Sequence, residues 1–317
     1  MVQHAAALDR PTDRMNDAIP VLVNASGGTA AARGEGLRAE IEKAFTEAGV
    51  AIDLRLLEAA EMQAGIEEAA GAAIVVVGGG DGTLGSAAEA LAGTKSALGI
   101  LPLGTRNHLA RELGVPLDLA GAAKLIAAGT QRRIDIGRVN EAVFVNNASI
   151  GLYPDMVEER EGLALPKKLA ALPAAVAALK RMRHRRLRLQ MPGVDRQVVT
   201  PMLFVGNNRY VLEAGKLGKR EALDDGVLSV YAVASRRRLA LVGFALRALL
   251  GRADPRRDFA AIGDTAELRV TGPADRIHVA LDGELQTLRV PLEFAIDRSA
   301  LIVIAPPVDT ARTDRSR

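Results

Sequence analysis

The 317-residue chain has no cysteine, no tryptophan, and only three tyrosines and six phenylalanines. Without cysteine it forms no disulfide, no thiolate metal site and no Cys nucleophile, a composition suited to a reducing cytosol. So few aromatics argue against base stacking as a main mode of recognition. Charge of one sign is lacking too. The 41 Lys and Arg against 38 Asp and Glu leave a net +3, too mild to mark a nucleic-acid binder. No helix-turn-helix or aromatic platform is visible, so nucleic acid is not an expected partner. No run approaches the ~18 uninterrupted apolar residues of a membrane span. The nearest, residues 239–251, is short and contains Arg247. Residues 1–17 carry Asp9, Arg10, Asp13 and Arg14 without an apolar signal region, and read as a disordered leader. Residues 309–317 read as a disordered tail. No Gly-x-Ser-x-Gly occurs, so the nucleophile elbow of Ser-His-Asp hydrolases is missing.

What is present is a globular composition: 49% hydrophobic and 25% charged residues. The length suits two domains. Through the first part, strand and helix signals alternate. Short apolar runs at 19–24, 50–56, 72–77 and 97–101 are separated by helical stripes, such as Leu37, Ile41, Ala44, Phe45 and Ala48. This predicts an α/β domain over 18–133, a Rossmann-like parallel sheet covered on both faces. From Ile134 to about residue 308 the period falls to two. Strands are expected at 144–147, 198–206, 227–233, 266–270, 276–281, 287–290 and 300–304, forming a β-sandwich. Helical stretches at 166–186 and 235–250 interrupt them.

The most informative segment is Ile74-Val75-Val76-Val77-Gly78-Gly79-Gly80-Asp81-Gly82-Thr83-Leu84. A buried strand runs into a glycine loop and then a helix. Glycines allow close approach of the backbone to phosphate oxygens, and the helix offers free N–H groups and a positive dipole end. Asp81 would repel phosphate unless a cation lies between them, which points to Mg²⁺. Thr83 is placed to cap the helix. The spacing is neither the P-loop nor the dinucleotide fingerprint. Two further polar loops, Asn24-Ala25-Ser26-Gly27-Gly28 and Pro102-Leu103-Gly104-Thr105-Arg106-Asn107, fall at the same strand ends. Ligands of open α/β sheets bind there.

Together with Asp282-Gly283-Glu284 and Asp224-Asp225-Gly226-Val227-Leu228, these motifs resemble the diacylglycerol kinase catalytic-domain family, which includes bacterial soluble lipid kinases and sphingosine and ceramide kinases. The resemblance runs from about Ile19 to Pro306. It implies an α/β nucleotide-binding domain joined to a β-sandwich, ATP and Mg²⁺ in the cleft, and transfer to a hydroxyl of diacylglycerol, a monoacylglycerol or a sphingoid or ceramide-like lipid. It implies that Asn24, Ser26, Gly27, Gly79, Gly80, Asp81, Gly82, Thr83, Gly104, Thr105 and Asn107 line the nucleotide. Asp282 or Glu284 would take the proton from the lipid hydroxyl, with Asp81 serving the metal. A structural Mg²⁺ would sit on Asp225 with the carbonyls of Ala222 and Val227. Read without the family, Asp282-Gly283 is first a favoured two-residue hairpin turn.

Two departures stand out. The family often has Asn-Glu after the Thr-Leu of the glycine loop, where this chain has Gly85-Ser86. Its usual Asn-Asp is here Asn107-His108. Asp135 is a candidate to supply the missing acidic group. Residues 166–188 carry eight cations and no acid, and 235–257 are similar, with Asp254 as the one acid. Cations beside an apolar helical face suit docking on an anionic membrane surface, at about 1 kcal/mol per cation. A cytoplasmic protein peripherally bound to the inner membrane face is therefore expected. A solvated helix or a homodimer contact would use the same faces. Two other functions fit the motifs: NAD kinase, which shares Gly-Gly-Asp-Gly-Thr, and a non-catalytic nucleotide- or lipid-binding homologue.

Overall fold

A computed structural model describes residues 18–27, 30, 33–34, 36–151, 154, 184–210, 220, 222–233 and 259–307. Its first lobe alternates strand and helix: β1 (Ile19–Asn24), α1 (Gly36–Glu47), β2 (Ile52–Leu57), α2 (Met62–Ala69), β3 (Ile74–Gly79), α3 (Asp81–Leu91), β4 (Ala97–Pro102), α4 (His108–Leu113) and α5 (Leu119–Ala128). Neighbours β2-β1-β3-β4 pair in parallel. Strands β1, β3 and β4 are near-continuous apolar runs because helices cover the sheet, and Val75, Val76 and Val77 are fully buried, whereas edge strand β2 carries Asp53 and Arg55. Helix α1 buries the expected stripe of Leu37, Ile41, Ala44 and Phe45. Helix α5, unread in the sequence, starts where Asp118 Oδ1 accepts the Gly121 amide at 2.7 Å and stops at left-handed Gly129.

The second lobe is a sandwich of antiparallel strands. One sheet holds β7 (Asn147–Gly151), β10 (Met202–Asn207), β11 (Leu228–Val233), β12 (Phe259–Thr265), β14 (Arg276–Leu281) and β15 (Glu284–Arg289), in the order β12-β11-β10-β7-β14-β15. The facing layer comprises β5 (Gln131–Val139), β6 (Ala142–Phe144), β8 (Arg185–Met191), β9 (Val194–Thr200), β13 (Glu267–Thr271) and β16 (Leu292–Ile304). Alternate residues such as Ile150, Val205, Val230, Val279 and Phe294 interdigitate between the layers. An α/β lobe followed by a β-sandwich lobe is the expected architecture.

The long strand β16 joins the lobes. Its first half pairs with β13, and its last residues run parallel to β4. Strand β5 follows it along most of its length, with a register shift between Asp297 and Leu301. The buried side chains of Leu301, Ile302, Val303 and Ile304 therefore belong to the first lobe's core. The division expected after Arg133 is crossed by the chain's return.

Several strands differ from expectation. The strand expected at 144–147 is two short strands with a turn between, and the amides of that turn bond Asp282. The run 198–206 breaks at Pro201, which has no N–H to give the ladder. Arg185, Arg186 and Arg188, assigned to the first basic helical stretch, lie on β8, where Leu187 and Leu189 alternate inward. The rest of that stretch, and the whole of 235–250, lie outside the described residues. Among the described residues no helix is long and apolar enough to cross a membrane.

Candidate active site

Three loops meet at the carboxyl ends of β1, β3 and β4. The first is tied to the second by Asn24, whose Nδ2 donates to Thr83 Oγ1 at 3.0 Å. Asn24 Oδ1 accepts from both the amide and the hydroxyl of Ser26, at 3.1 and 2.9 Å, and Ser26 Oγ in turn accepts the Ala59 amide. Gly27 packs against the Asn24 side chain, which a Cβ there would meet at 3.6 Å. Thr83 thus faces the first loop and does not cap the helix. The N-cap of α3 is Gly80, in extended conformation and with no side-chain cap bond. The first amides of α3 are left available to an anion.

The second and third loops touch backbone to backbone. A Cβ on Gly104 would overlap Gly80 Cα, so glycine is required there for steric reasons. Gly79 is similarly crowded, since a Cβ would stand 2.6 Å from Thr83 Cβ. Asn107, expected to line the nucleotide, is 6% exposed and braces its own loop. Its Oδ1 accepts the Gly104 amide at 2.9 Å, and its Nδ2 donates to the carbonyls of Gly104 and Pro102. Asn107 is also left-handed, with φ 51°. Thr105 is exposed at the loop's outer side. Asp81 bridges the same pair of loops, its Oδ1 accepting the His108 amide at 2.8 Å. His108 therefore contributes its backbone to the site. The second oxygen of Asp81 has no partner among the described residues.

Asp282 and Glu284 come from the other lobe. Asp282 and Gly283 form the two-residue hairpin between β14 and β15, both at positive φ, as their Asp-Gly sequence favours. The turn reading of Asp282 holds. Its carboxylate is gripped by the β6–β7 turn: Oδ2 accepts the Val145 amide at 2.6 Å, and Oδ1 accepts those of Asn146 and Asn147 at 2.7 and 3.0 Å. The residue keeps some exposed surface, while its carboxylate is enclosed. Burial pushes this carboxyl above the ordinary carboxylate range; the three amides and the nearby Arg220 guanidinium pull against that shift without cancelling it.

The hairpin faces the start of α3. A Cβ on Gly85 would stand 4.0 Å from Asp282 Oδ2, and a Cβ on Gly82 would overlap Glu284 Oε1. Gly85, where the family often carries Asn, therefore leaves the approach to Asp282 clear. The acidic hairpin and the glycine loop are brought together across the cleft, although almost two hundred residues of chain separate them.

The Asp225 turn is a separate cluster. Asp225 lies 3.9 Å from Arg209 Nη1. The Val227 carbonyl accepts the Asn208 amide at 2.9 Å. The Gly226 amide donates to Asp135 Oδ2 and Asn208 Oδ1, and Arg298 donates to the Gly226 carbonyl. Ala222 sits at the edge of this turn, partly buried. Protein groups thus hold the turn for which the resemblance implies a structural Mg²⁺. Asp135 is spent here as well, since its other oxygen accepts the Ser299 amide at 2.7 Å. It does not join Asp81. Among the described residues no group of three or more acidic or His side chains is placed to hold a metal.

Sequence reasoning missed Arg220, Glu112 and Tyr210. The Arg220 side chain is 1% exposed and ion-paired with Glu112 of α4. It also donates to the Val145 carbonyl at 2.6 Å and to Asn146 Oδ1 at 3.0 Å. Tyr210 donates to the Asn146 carbonyl at 2.9 Å, and burial pushes its hydroxyl up to about 12. No local pattern marks these residues, because the hydrogen-bond partners that tie them to the turn and to α4 are 63 to 108 residues away.

A glycine loop with an uncapped helix end, set against a carboxylate from a second lobe, is an arrangement suited to phosphoryl transfer to a hydroxyl. Residues 18–139 match the family model for the diacylglycerol kinase catalytic domain. A Pseudomonas aeruginosa protein named "probable lipid kinase YegS-like" is 34% identical over 248 residues, covering 76% of this chain and 80% of that protein. A Pseudomonas putida protein of the same name is 35% identical over 213 residues, covering 65% and 70%. The crystal structure of a diacylglycerol kinase from Bacillus anthracis superposes with TM-score 0.66 at 20% identity, over 92% of this chain and 97% of that one. An NAD kinase from Archaeoglobus fulgidus in complex with ATP gives TM-score 0.52 at 13% identity, over 94% and 96%. Those two likenesses speak to fold alone. The chain belongs to the diacylglycerol kinase catalytic-domain family, among its YegS-like lipid kinases.

Proposed function

We propose that this protein is an ATP- and Mg²⁺-dependent kinase that phosphorylates a hydroxyl of diacylglycerol or a related lipid. The observation that carries this reading is the Asp282 hairpin seated against Gly82 and Gly85 at the start of α3. The amides between Gly80 and Thr83 would receive the polyphosphate, where one preorganised donor is worth about 3 kcal/mol in the transition state. Asp282 Oδ2 keeps an acceptor position beyond its bond to Val145 and would take the proton of the lipid hydroxyl. As that proton leaves, the hydroxyl oxygen bonds to the γ-phosphorus, the bond to the β–γ bridging oxygen breaks, and ADP departs. A carboxyl that titrates above the usual range is the better base for an alcohol, because its affinity for the proton is higher.

Mg²⁺ fits as an ion that comes with the nucleotide. The free oxygen of Asp81 and the carboxylate of Glu284 border the glycine loop, and Mg²⁺ is commonly held by one or two carboxylates plus phosphates. When bound, it neutralises charge on the phosphates. The Asp225 turn gives no comparable support.

The lipid acceptor is supported by the family, and the NAD kinase alternative by fold. We also infer peripheral docking on an anionic cytoplasmic membrane face, supported only by the basic stretches of the sequence. The test is transfer of label from γ-³²P-ATP to a panel of diacylglycerol, monoacylglycerol, sphingosine and ceramide, with NAD as a parallel acceptor. Labelled lipid from the wild type, abolished in Asp81→Asn, is the expected result. Label on NAD alone, or on nothing, would remove the reading. Sedimentation with anionic vesicles at low salt checks the docking; no binding there would remove it.

A further inference from the structure

The two halves of the site sit on different lobes, so something must fix the distance between them. On one side of the molecule β16 does so, pairing with β5 on both sides of a register shift and with β4 near its end. At the cleft one link is the packing of Val145 into the first lobe's core, and a second, polar one is the ion pair of the buried Arg220 side chain with Glu112. Glu112 belongs to α4, whose first amide, at His108, is bonded to Asp81. Arg220 also holds the Val145 carbonyl and the Asn146 side chain, within the turn whose amides grip Asp282. Backbone pairing with Tyr210 fixes Arg220 itself, and Tyr210 bonds the same turn at the Asn146 carbonyl. A single guanidinium therefore closes a continuous path from Asp81 through α4 to Asp282.

Replacing a buried ion pair by apolar groups of similar volume is often neutral or stabilising, so stability alone is a poor reason to keep one. Arginine does here what an apolar residue cannot. Its planar fork binds a carboxylate on one lobe and a carbonyl and an amide oxygen on the other.

We propose that Arg220 is a positioning residue for phosphoryl transfer: pinned by Glu112, it sets the turn at Val145–Asn147, and with it Asp282, at a fixed place relative to the Asp81 loop. The proposal rests on the reading of Asp282 as the base. It does not require Arg220 to touch either substrate.

The absence of cysteine makes the test direct, since nitroxide labels can be placed through Lys43→Cys on α1 and Gln197→Cys on β9 without background. Both positions are exposed. In this labelled pair, Arg220→Gln is expected to broaden the inter-lobe distance distribution. It is also expected to lower kcat about a hundredfold, as a misplacement of the order of 1 Å does. KM for ATP should stay within about twofold, because the nucleotide loops are untouched. Arg220→Lys keeps the charge but loses the fork, and should fall between the two. If Arg220→Gln does not fold, Arg220→Lys carries the same test. An unchanged distance distribution overturns the proposal. So does a loss of kcat matched by an equal rise in KM and a lowered Tm, the pattern of general destabilisation. If the wild type phosphorylates no lipid, the functional reading fails, and the distance distribution alone decides whether Arg220 locks the lobes.

Discussion

The glycine-loop side of the cleft, the proposed nucleotide side, and the Asp282 side, the proposed acceptor side, are held together in different ways. On the nucleotide side the decisive residues are glycines in short loops, and their partners are close in sequence or one strand away: Gly79 against Thr83, Asn107 against Gly104, Asp81 against His108. On the acceptor side Asp282 depends on amides 135 to 137 residues earlier in the chain, and Arg220 on a carboxylate 108 residues away. The first side is preorganised by backbone sterics, the second by long-range polar links. Mutations should separate them: changes on the first side act on nucleotide affinity, and changes on the second act on the transfer step.

The largest effect is expected at Asp282. Asp282→Ala should lower kcat by about 10²- to 10⁴-fold, the usual worth of a positioned base, with KM for ATP nearly unchanged. It should also lower Tm, because three amides lose their acceptor. Steady-state kinetics and a thermal melt read both. Equal effects on kcat and KM would erase the distinction between the two sides.

Gly104→Ala comes next. Its Cβ would meet the Gly80 backbone, which has no flexible end to move aside. Overpacking of this kind costs about 1–3 kcal/mol. We expect a rise in KM for ATP that outweighs the change in kcat. A normal KM would mean that the two loops do not have to touch for nucleotide binding.

Asn24→Ala removes the side-chain bond to Thr83 and should cost about 1 kcal/mol, a typical net hydrogen bond, seen as a few-fold weaker nucleotide binding in calorimetry. The smallest effect concerns pH. Asp282 must be ionised to accept a proton, so kcat should fall as pH drops through its value. That acid limb should lie above the ~3.9 of a free aspartate. Because the folded value is raised, the folded protein binds more protons than the unfolded chain in this window, and this group's contribution to stability is lost as pH rises through it. A limb at or below the ordinary aspartate value would contradict the burial of the carboxylate.

The same contrast explains how much was legible in the sequence. The parallel lobe and its three loops could be read because β-branched runs ending in glycine are local signals, and residues 19–24 formed a strand with the expected limits. The sandwich was legible as a class from period-two patterning, but not strand by strand. Strand β8 escaped because its arginines continue a basic stretch, although Leu187 and Leu189 alternate as a strand requires. At the site, the motif residues did converge, but several roles moved. Thr83 serves the first loop, Asn107 braces its own, and Asp135 belongs to the Asp225 turn. These reassignments, and the whole of the Arg220 path, depend on tertiary partners that no local pattern announces.

The most direct test of the central claim is a crystal structure with a non-hydrolysable ATP analogue and Mg²⁺. The terminal phosphate is expected on the amides between Gly80 and Thr83, facing Asp282 Oδ2 across Gly82 and Gly85. Phosphates bound elsewhere, or an Asp282 hairpin turned away from the start of α3, would contradict the account.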